Sequence, residues 1–176
     1  NAYSPYSMYG MGEILTPGSA QMRAMGGVGI AVRNYGQINP INPAAASIAP
    51  QKNFLFDVSF DGTHYRNSQK KYNAEGVAAS KPAMTVYNTV NIHSISLTFP
   101  VAERMGVSFS ISPYSSVGYK IQTTDQNENT WADIGRVRYG YDGEGDISEV
   151  KLSYGWAQWQ KFSNGVAAKY YWGGVT

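Results

Sequence analysis

Residues Met22–Ser47, MRAMGGVGIAVRNYGQINPINPAAAS, form a small, glycine-rich stretch that is broken by two Asn-Pro steps. Proline donates no ladder hydrogen bond and pushes the residue before it towards an extended backbone. Asn39 and Asn42, which precede Pro40 and Pro43, are therefore expected to bond nearby backbone through their side chains and to fix tight turns. The many small residues favour a compact segment over a flexible linker. The stretch predicts an irregular but packed unit.

This unit belongs to an N-terminal region, residues 1–52, that is rich in proline and has no strand-length alternation. A long irregular region inside a compact domain is usually functional or disordered. Because it precedes every alternating segment, it predicts an N-terminal plug (hatch) at residues 1–52, followed by the first strands of a barrel at residues 53–176.

From Asn53 onwards, apolar residues recur at every second position, which is typical of a strand with one apolar face. In the first predicted strand the two faces are Phe54, Phe56, Val58 and Phe60 against Asp57, Ser59, Asp61 and Thr63. The five predicted strands are Asn53–Arg66, Val86–Val101, Arg104–Thr123, Asp146–Gln160 and a last one that begins at Val166 after a turn at Asn164-Gly165, a typical hairpin pair. Long polar loops are expected at residues 67–85 and 125–145.

The third predicted strand is long for a globular sheet, where about five or six residues is usual. Such a length suits a strand that crosses a bilayer on a tilted path, and alternating long and short loops are typical of outer-membrane barrels. The sequence therefore predicts an all-β, antiparallel transmembrane outer-membrane β-barrel with an N-terminal plug. Five strands are too few to close a barrel of at least about eight, so the chain is expected to be the N-terminal part of a larger one.

Composition narrows the classes of function. No run approaches the roughly 18 apolar residues of a membrane helix, and a mean hydropathy of −0.34 is compatible with alternating strands. The net charge of +2 is too small to predict a nucleic-acid partner. The 14 Tyr and 4 Trp fit a wall that passes through lipid head groups.

No catalytic residue, metal site or cofactor is predicted, so the chain is not expected to be an enzyme. It has no Cys, and its two histidines, His64 and His93, lie in separate predicted strands without a partnering motif. The glycine runs complete no phosphate-binding pattern, and the acidic and amide residues at 125–129 lack the glycine and the glutamate of a calcium loop.

Two further features suggest sites. Pro113 lies within the third predicted strand, where proline forces an edge, a kink or a bulge, and a bulge without function is the simpler alternative. An aromatic and methionine cluster at the N-terminus suits a variable apolar ligand, although packing against the inner wall explains it equally well. Its members are Tyr3, Tyr6, Met8, Tyr9 and Met11.

The run Arg23–Ala31, RAMGGVGIA, followed by Asn42-Pro43-Ala44, resembles the N-terminal hatch of the FadL/OmpP1/TodX family of outer-membrane barrels. The opening residues 4–12, SPYSMYGMG, look like the mature start of its Bacteroidetes-type branch. The resemblance implies a hatch motif made of Gly26, Gly27, Gly29, Asn42, Pro43 and Ala44. It also implies an N-terminal tail that lines the ligand site, and a lateral opening in the wall at the Pro113 kink.

The function implied by this resemblance is uptake of a hydrophobic small molecule, such as a long-chain fatty acid or an aromatic hydrocarbon. The molecule would bind, the hatch would rearrange, and the molecule would leave sideways into an outer membrane of lipid and lipopolysaccharide. An alternative is an accessory barrel in a larger outer-membrane secretion or assembly complex, with the plug shut and other outer-membrane proteins as partners. A third hypothesis is a soluble β-sandwich lectin or adhesin, whose apolar faces would form a core between two sheets.

Overall fold

The computed structural model describes residues 4–48, 53–70, 83–124, 138–159 and 161–176. Long antiparallel strands follow a series of short elements, so the all-β, antiparallel class is confirmed. The short elements are a 3-10 helix at Pro5–Met8, strand β1 at Glu13–Ile14, helix α1 at Ala20–Ala24 and a second 3-10 helix at Pro43–Ile48. The long strands are β2 Leu55–Gln69, β3 Ala83–Ala102, β4 Met105–Thr124, β5 Arg138–Trp159 and β6 Phe162–Val175.

The five long strands lie in the sheet in chain order, each antiparallel to the next, and β1 pairs with β4 outside this path. They correspond to the five predicted strands, although β2 runs on to Gln69 and β3 already begins at Ala83, both inside the predicted loop 67–85, and two further corrections apply. Strand β5 already begins at Arg138, inside the predicted loop 125–145, because its first residues pair with the far end of β4. The loop residues 71–82 and 125–137 lie outside the described residues.

The second correction concerns the last hairpin, where the predicted turn at Asn164-Gly165 is wrong. Both residues lie in β6, where Asn164 pairs with Trp156 and Gly165 pairs with Gly155. Strand β6 begins at Phe162, which pairs with Trp159. The ladder hydrogen bonds and the close contacts of Gly165 override its local preference for a turn.

The sheet buries its polar face and exposes its apolar face. The N-terminal segment, residues 4–48, covers the polar side. The side chains buried there include Ser59, Ser94, Ser96, Thr98, Ser108, Ser110, Lys151 and Ser153. The exposed apolar side chains on the other face include Phe54, Phe56, Phe60, Leu152, Val166 and Tyr170. A β-sandwich would bury this apolar face as its core, so the arrangement argues against the sandwich hypothesis.

Among the described residues, the buried hydrophobic side chains are few and lie mostly within the N-terminal segment. They are Met22, Ile38, Ala45 and Ala46, joined by Val117 of β4. This small cluster holds the segment together internally, while polar contacts and close backbone approach hold it on the sheet. Among the described residues there is no helix with the length and apolar character needed to cross a membrane.

Candidate functional site

The contact between the N-terminal segment and the sheet centres on three glycines in adjacent strands. Gly106 of β4 pairs with Gly155 of β5, which in turn pairs with Gly165 of β6, so the three form a continuous row across the sheet. We call Gly106, Gly155 and Gly165 the glycine row. A row without side chains leaves a shallow channel in the polar face of the sheet.

The 3-10 helix Pro43–Ile48 lies in this channel, backbone against backbone. A Cβ atom added at any of the three glycines would come within 3.0 Å of backbone atoms of residues 43–47. At Gly155 it would lie 2.5 Å from the carbonyl oxygen of Pro43. Glycine inside a strand often marks such a close approach of another backbone. The sequence analysis did not identify the glycine row: Gly106 and Gly155 lay within predicted strands, but Gly165 was assigned to a turn.

Asn39 is the hydrogen-bonding centre of the segment. Its buried side-chain amide donates to the carbonyl oxygens of Gly29, at 2.5 Å, and Val32, at 2.9 Å. Its side-chain oxygen accepts from the backbone N–H groups of Ile41, at 2.9 Å, and Asn42, at 3.0 Å. All four bonding positions of the amide group are thus used, and they fold residues 29–42 into one loop. The expected pinning of nearby backbone by Asn39 is confirmed.

Asn42 has the same role on a smaller scale. Its Nδ2 donates to the carbonyl oxygen of Ile30 at 2.7 Å, and its Oδ1 accepts from the N–H of Ala44 at 3.0 Å. The second of these bonds lies at the start of the second 3-10 helix, at Pro43.

In the glycine run, Gly26 and Gly27 have positive φ angles of 81° and 83°, a conformation that suits glycine. A Cβ atom on Gly29 would lie 2.5 Å from Ile41 Cδ1.

The six predicted hatch residues all lie within the N-terminal segment that covers the sheet. Their role as a hatch stays a prediction.

Polar side chains of the sheet bond directly to the segment. Buried Lys151 of β5 donates from Nζ to the carbonyl oxygens of Pro40 and Ile41, the latter at 3.2 Å. Buried Ser59 of β2 accepts from the N–H of Ala20 at 3.1 Å, which satisfies a free donor at the start of α1. These contacts, made from two strands that are not neighbours, fix the segment across the width of the polar face.

The ion pair between Arg23 and Asp61 is expected to add little to this attachment. Arg23 Nη2 lies 3.2 Å from Asp61 Oδ2, but the two side chains are 26% and 28% exposed, and partly solvated pairs contribute little. A double-mutant cycle with Arg23→Met and Asp61→Asn should give a coupling energy below about 1 kcal/mol in hydrogen exchange of the α1 amides. A coupling of several kcal/mol would instead make the pair a main anchor of the segment.

A second feature is a cleft between β3 and β4. The ladder that joins these strands runs only from Ala102 and Met105 to Ile95 and Ile111, where it ends. The two ladders that flank the cleft are irregular at the same level. In the β2–β3 ladder, a register shift leaves His93 without a partner residue. In the β4–β5 ladder, the register shifts just after Pro113. Bulges of this kind re-aim side chains and end strand pairing. The lateral opening predicted at Pro113 stays a prediction.

The cleft has a volume of about 520 Å³, within the usual range for binding sites. Its walls combine apolar residues such as Val90, Ile92 and Pro113 with polar ones. Two buried polar atoms of the lining, His93 Nε2 and Ser94 Oγ, have no hydrogen-bond partner within the described part of the chain. The cleft is therefore unlike a purely apolar ligand pocket.

The predicted apolar ligand site does not form part of this cleft. Tyr6, Met8, Tyr9 and Met11 are exposed and none of them lines it, while Tyr3 lies outside the described residues. Within the described ranges, no three His, Cys, Asp or Glu side chains are close enough together to hold a metal ion.

No curated protein and no solved structure matches the chain. A family model matches residues 1–176, and it is that of BamG, a family name from the outer-membrane assembly complex known as BAM. The predicted identification as a FadL/OmpP1/TodX protein is therefore wrong, and uptake of a hydrophobic small molecule, which only that resemblance implied, has no support. The predicted location in the bacterial outer membrane is confirmed. With the match spanning its whole sequence, the chain belongs to the BamG family.

Proposed function

We propose that the chain is a non-enzymatic accessory subunit of an outer-membrane assembly complex. In this proposal the sheet is part of a transmembrane β-barrel, and the N-terminal segment is a plug that stays shut. The family match supports the setting. The main support for the proposal is the orientation of the sheet. Its polar face is covered by residues 4–48, and its apolar face is exposed.

The exposed face has the chemistry of a surface in contact with lipid. Exposed aliphatic and aromatic side chains lie along β2, β3, β5 and β6, and aromatic pairs lie near the short turns. Phe54 and Phe99 have ring centroids 6.1 Å apart, and Trp159 and Phe162 lie 5.7 Å apart. Tyr139 and Tyr141 are exposed near the opposite end of the sheet. Outer-membrane barrels carry aromatic girdles at both membrane interfaces.

The attachment of the segment supports a shut plug. Its 3-10 helix is held by the glycine row through backbone contacts, its loop is held by the four bonds of Asn39, and Lys151 bonds its carbonyl groups. A plug that has to move in every transport cycle would have to break these contacts each time. A fixed plug suits a subunit that offers its wall and edges to neighbouring proteins.

The test is to purify the epitope-tagged protein from native outer membranes in mild detergent and, in parallel, to deplete it from cells. We expect it to migrate within a complex that contains the barrel-inserting subunit. Depletion should lower the folded, heat-modifiable fraction of other outer-membrane barrels and leave fatty-acid uptake unchanged. A protein that migrates alone, and whose depletion abolishes uptake while other barrels fold normally, would overturn the proposal.

A further inference from the structure

Strand β3 has an open edge beside the cleft. On one side, residues 89–92 and Ser94 pair with β2. The ladder to β4 begins only at Ile95, so within the described ranges residues 89–94 have no ladder partner on the other side. An unpaired strand edge presents a row of backbone N–H and C=O groups to any extended chain that reaches it.

The facing edge of β4 is already covered by the N-terminal segment. Strand β1 pairs with Ser115 and Ser116, and the N–H of Leu15 donates to the carbonyl oxygen of Tyr114 at 2.9 Å. The N–H of Ser4 donates to the carbonyl oxygen of Gly118 at 3.1 Å. One side of the cleft has therefore received an added strand from the same chain, and the other side has not.

The open edge also lacks the residues that normally prevent strands from pairing with other chains. Natural edge strands carry proline, charged side chains or bulges that discourage such pairing. Residues 83–99 contain no proline, no glycine and no Asp, Glu, Lys or Arg, and the bulge at His93 lies at the very end of the open edge. The outward-facing Val90 and Ile92 are 80% and 56% exposed. The edge is thus well suited to strand addition.

The lining of the cleft indicates what kind of strand would fit. On the inner side, His93 Nε2 and Ser94 Oγ have no partner among the described residues and require hydrogen bonds. The carboxylates of Glu13 and Asp146 favour a basic or hydroxyl side chain. A purely apolar ligand would leave these buried atoms unsatisfied, which costs free energy. On the outer side, Val90 and Ile92 favour apolar side chains. A strand with alternating polar and apolar residues meets both requirements.

We propose that the β3 edge at residues 89–94 binds an extended segment of a partner outer-membrane protein by β-strand addition. The polar side chains of the segment face His93 and Ser94, and its apolar side chains lie beside Val90 and Ile92. The proposal rests on the proposed function, since it names the surface through which an accessory subunit holds an outer-membrane strand.

The test uses the detergent-purified protein and a synthetic peptide of about ten residues, the length of a transmembrane strand, in which Phe and Leu alternate with Thr and Lys. A second peptide has the same sequence with N-methyl groups on alternate backbone nitrogens, so it cannot donate along one edge. A photo-crosslinking residue at position 90 should capture the first peptide. The methylated peptide should bind at least about tenfold more weakly, because two or three hydrogen bonds are lost.

The control is the same photo-crosslinking residue at Leu152, which is 51% exposed on the same apolar face but lies in β5, a strand that is paired on both sides. It should capture neither peptide specifically. The substitution Val90→Lys should weaken binding, while Leu152→Lys should not. The comparison of the two peptides on the unaltered protein gives an answer even where a variant fails to fold.

Equal binding of both peptides, or equal capture at positions 90 and 152, would mean adsorption to an apolar surface and would overturn the inference. If the native complex is found but neither peptide binds, the inference fails and the proposed function stands. If the peptide binds at Val90 with the expected dependence on its N–H groups but no native complex is found, the edge is confirmed and the proposed function fails.

Discussion

Replacing Gly155 by alanine is expected to lift the 3-10 helix Pro43–Ile48 off the sheet. The new Cβ atom would lie 2.5 Å from the carbonyl oxygen of Pro43 and 3.0 Å from the N–H nitrogen of Ser47. Both are backbone atoms, so neither can rotate away as a side chain would. Overpacking of this kind costs about 1–3 kcal/mol. Hydrogen exchange of the amides of residues 44–48, measured in detergent, should accelerate by about tenfold or more.

The matched control is Gly140→Ala in the same strand. A Cβ atom at Gly140 would meet nothing within 4 Å. Alanine also loses less backbone entropy on folding than glycine does, so this substitution should be neutral or slightly stabilising. If both variants accelerate exchange of residues 44–48 equally, the cause is a general effect on β5 and not the contact with the helix. If Gly155→Ala leaves the exchange unchanged, the glycine row does not hold the segment.

A second alanine tests whether the row acts as one surface. A Cβ atom on Gly165 would approach the backbone of Pro43 and Ala44, within the same 3-10 helix. Once Gly155→Ala has displaced the helix, Gly165→Ala should add little. The two free-energy changes should therefore sum to clearly more than the change in the double variant. Full additivity would mean that the two glycines hold different parts of the segment.

The sequence predicted the strands well because a two-residue period follows directly from a sheet with two unlike faces. The alternation of Phe54, Phe56, Val58 and Phe60 is typical of a strand. The bounds of β4 differ from the predicted bounds by a single residue at each end. It did not predict the glycine row, because strand register is set between segments and not within one. Gly106 is far from the other two glycines in the chain, and the row of Gly106, Gly155 and Gly165 forms only after three strands have paired.

The family could not be identified from the N-terminal motif for a similar reason. The glycines provide positive φ angles and close packing, and Asn39 and Asn42 fold the chain by bonding its backbone. Positive φ angles, close packing and side-chain bonds to the backbone are required wherever an irregular segment packs onto the polar face of a sheet. A short motif of this kind therefore indicates the local backbone geometry. It does not distinguish a transporter from a subunit of an assembly complex.

Replacing Asn39 by leucine is expected to unfold the loop that carries the helix. The leucine has almost the same size but leaves four backbone groups without their partners, at Gly29, Val32, Ile41 and Asn42. A buried group that loses its hydrogen bond costs about 1–3 kcal/mol. Even with partial relaxation, the loop should lose about 3 kcal/mol of stability. Trypsin cleavage after Arg33, inside the loop, should then become about a hundredfold faster.

Two other asparagines of the same segment provide a graded control for this loss. The half-buried Asn42 makes two such bonds, and the exposed Asn34 makes one, at 3.2 Å to the N–H of Gly36. Asn42→Leu should cost about 1 kcal/mol, because water replaces part of what is lost, and Asn34→Leu should stay within about 0.5 kcal/mol of the unaltered protein. Similar cleavage rates in the Asn34 and Asn39 variants would contradict a buried hydrogen-bonding centre at Asn39. If the cleavage rates rise in the order Asn34, Asn42, Asn39, these side-chain hydrogen bonds stabilise the segment. Opening the segment would then require breaking them together.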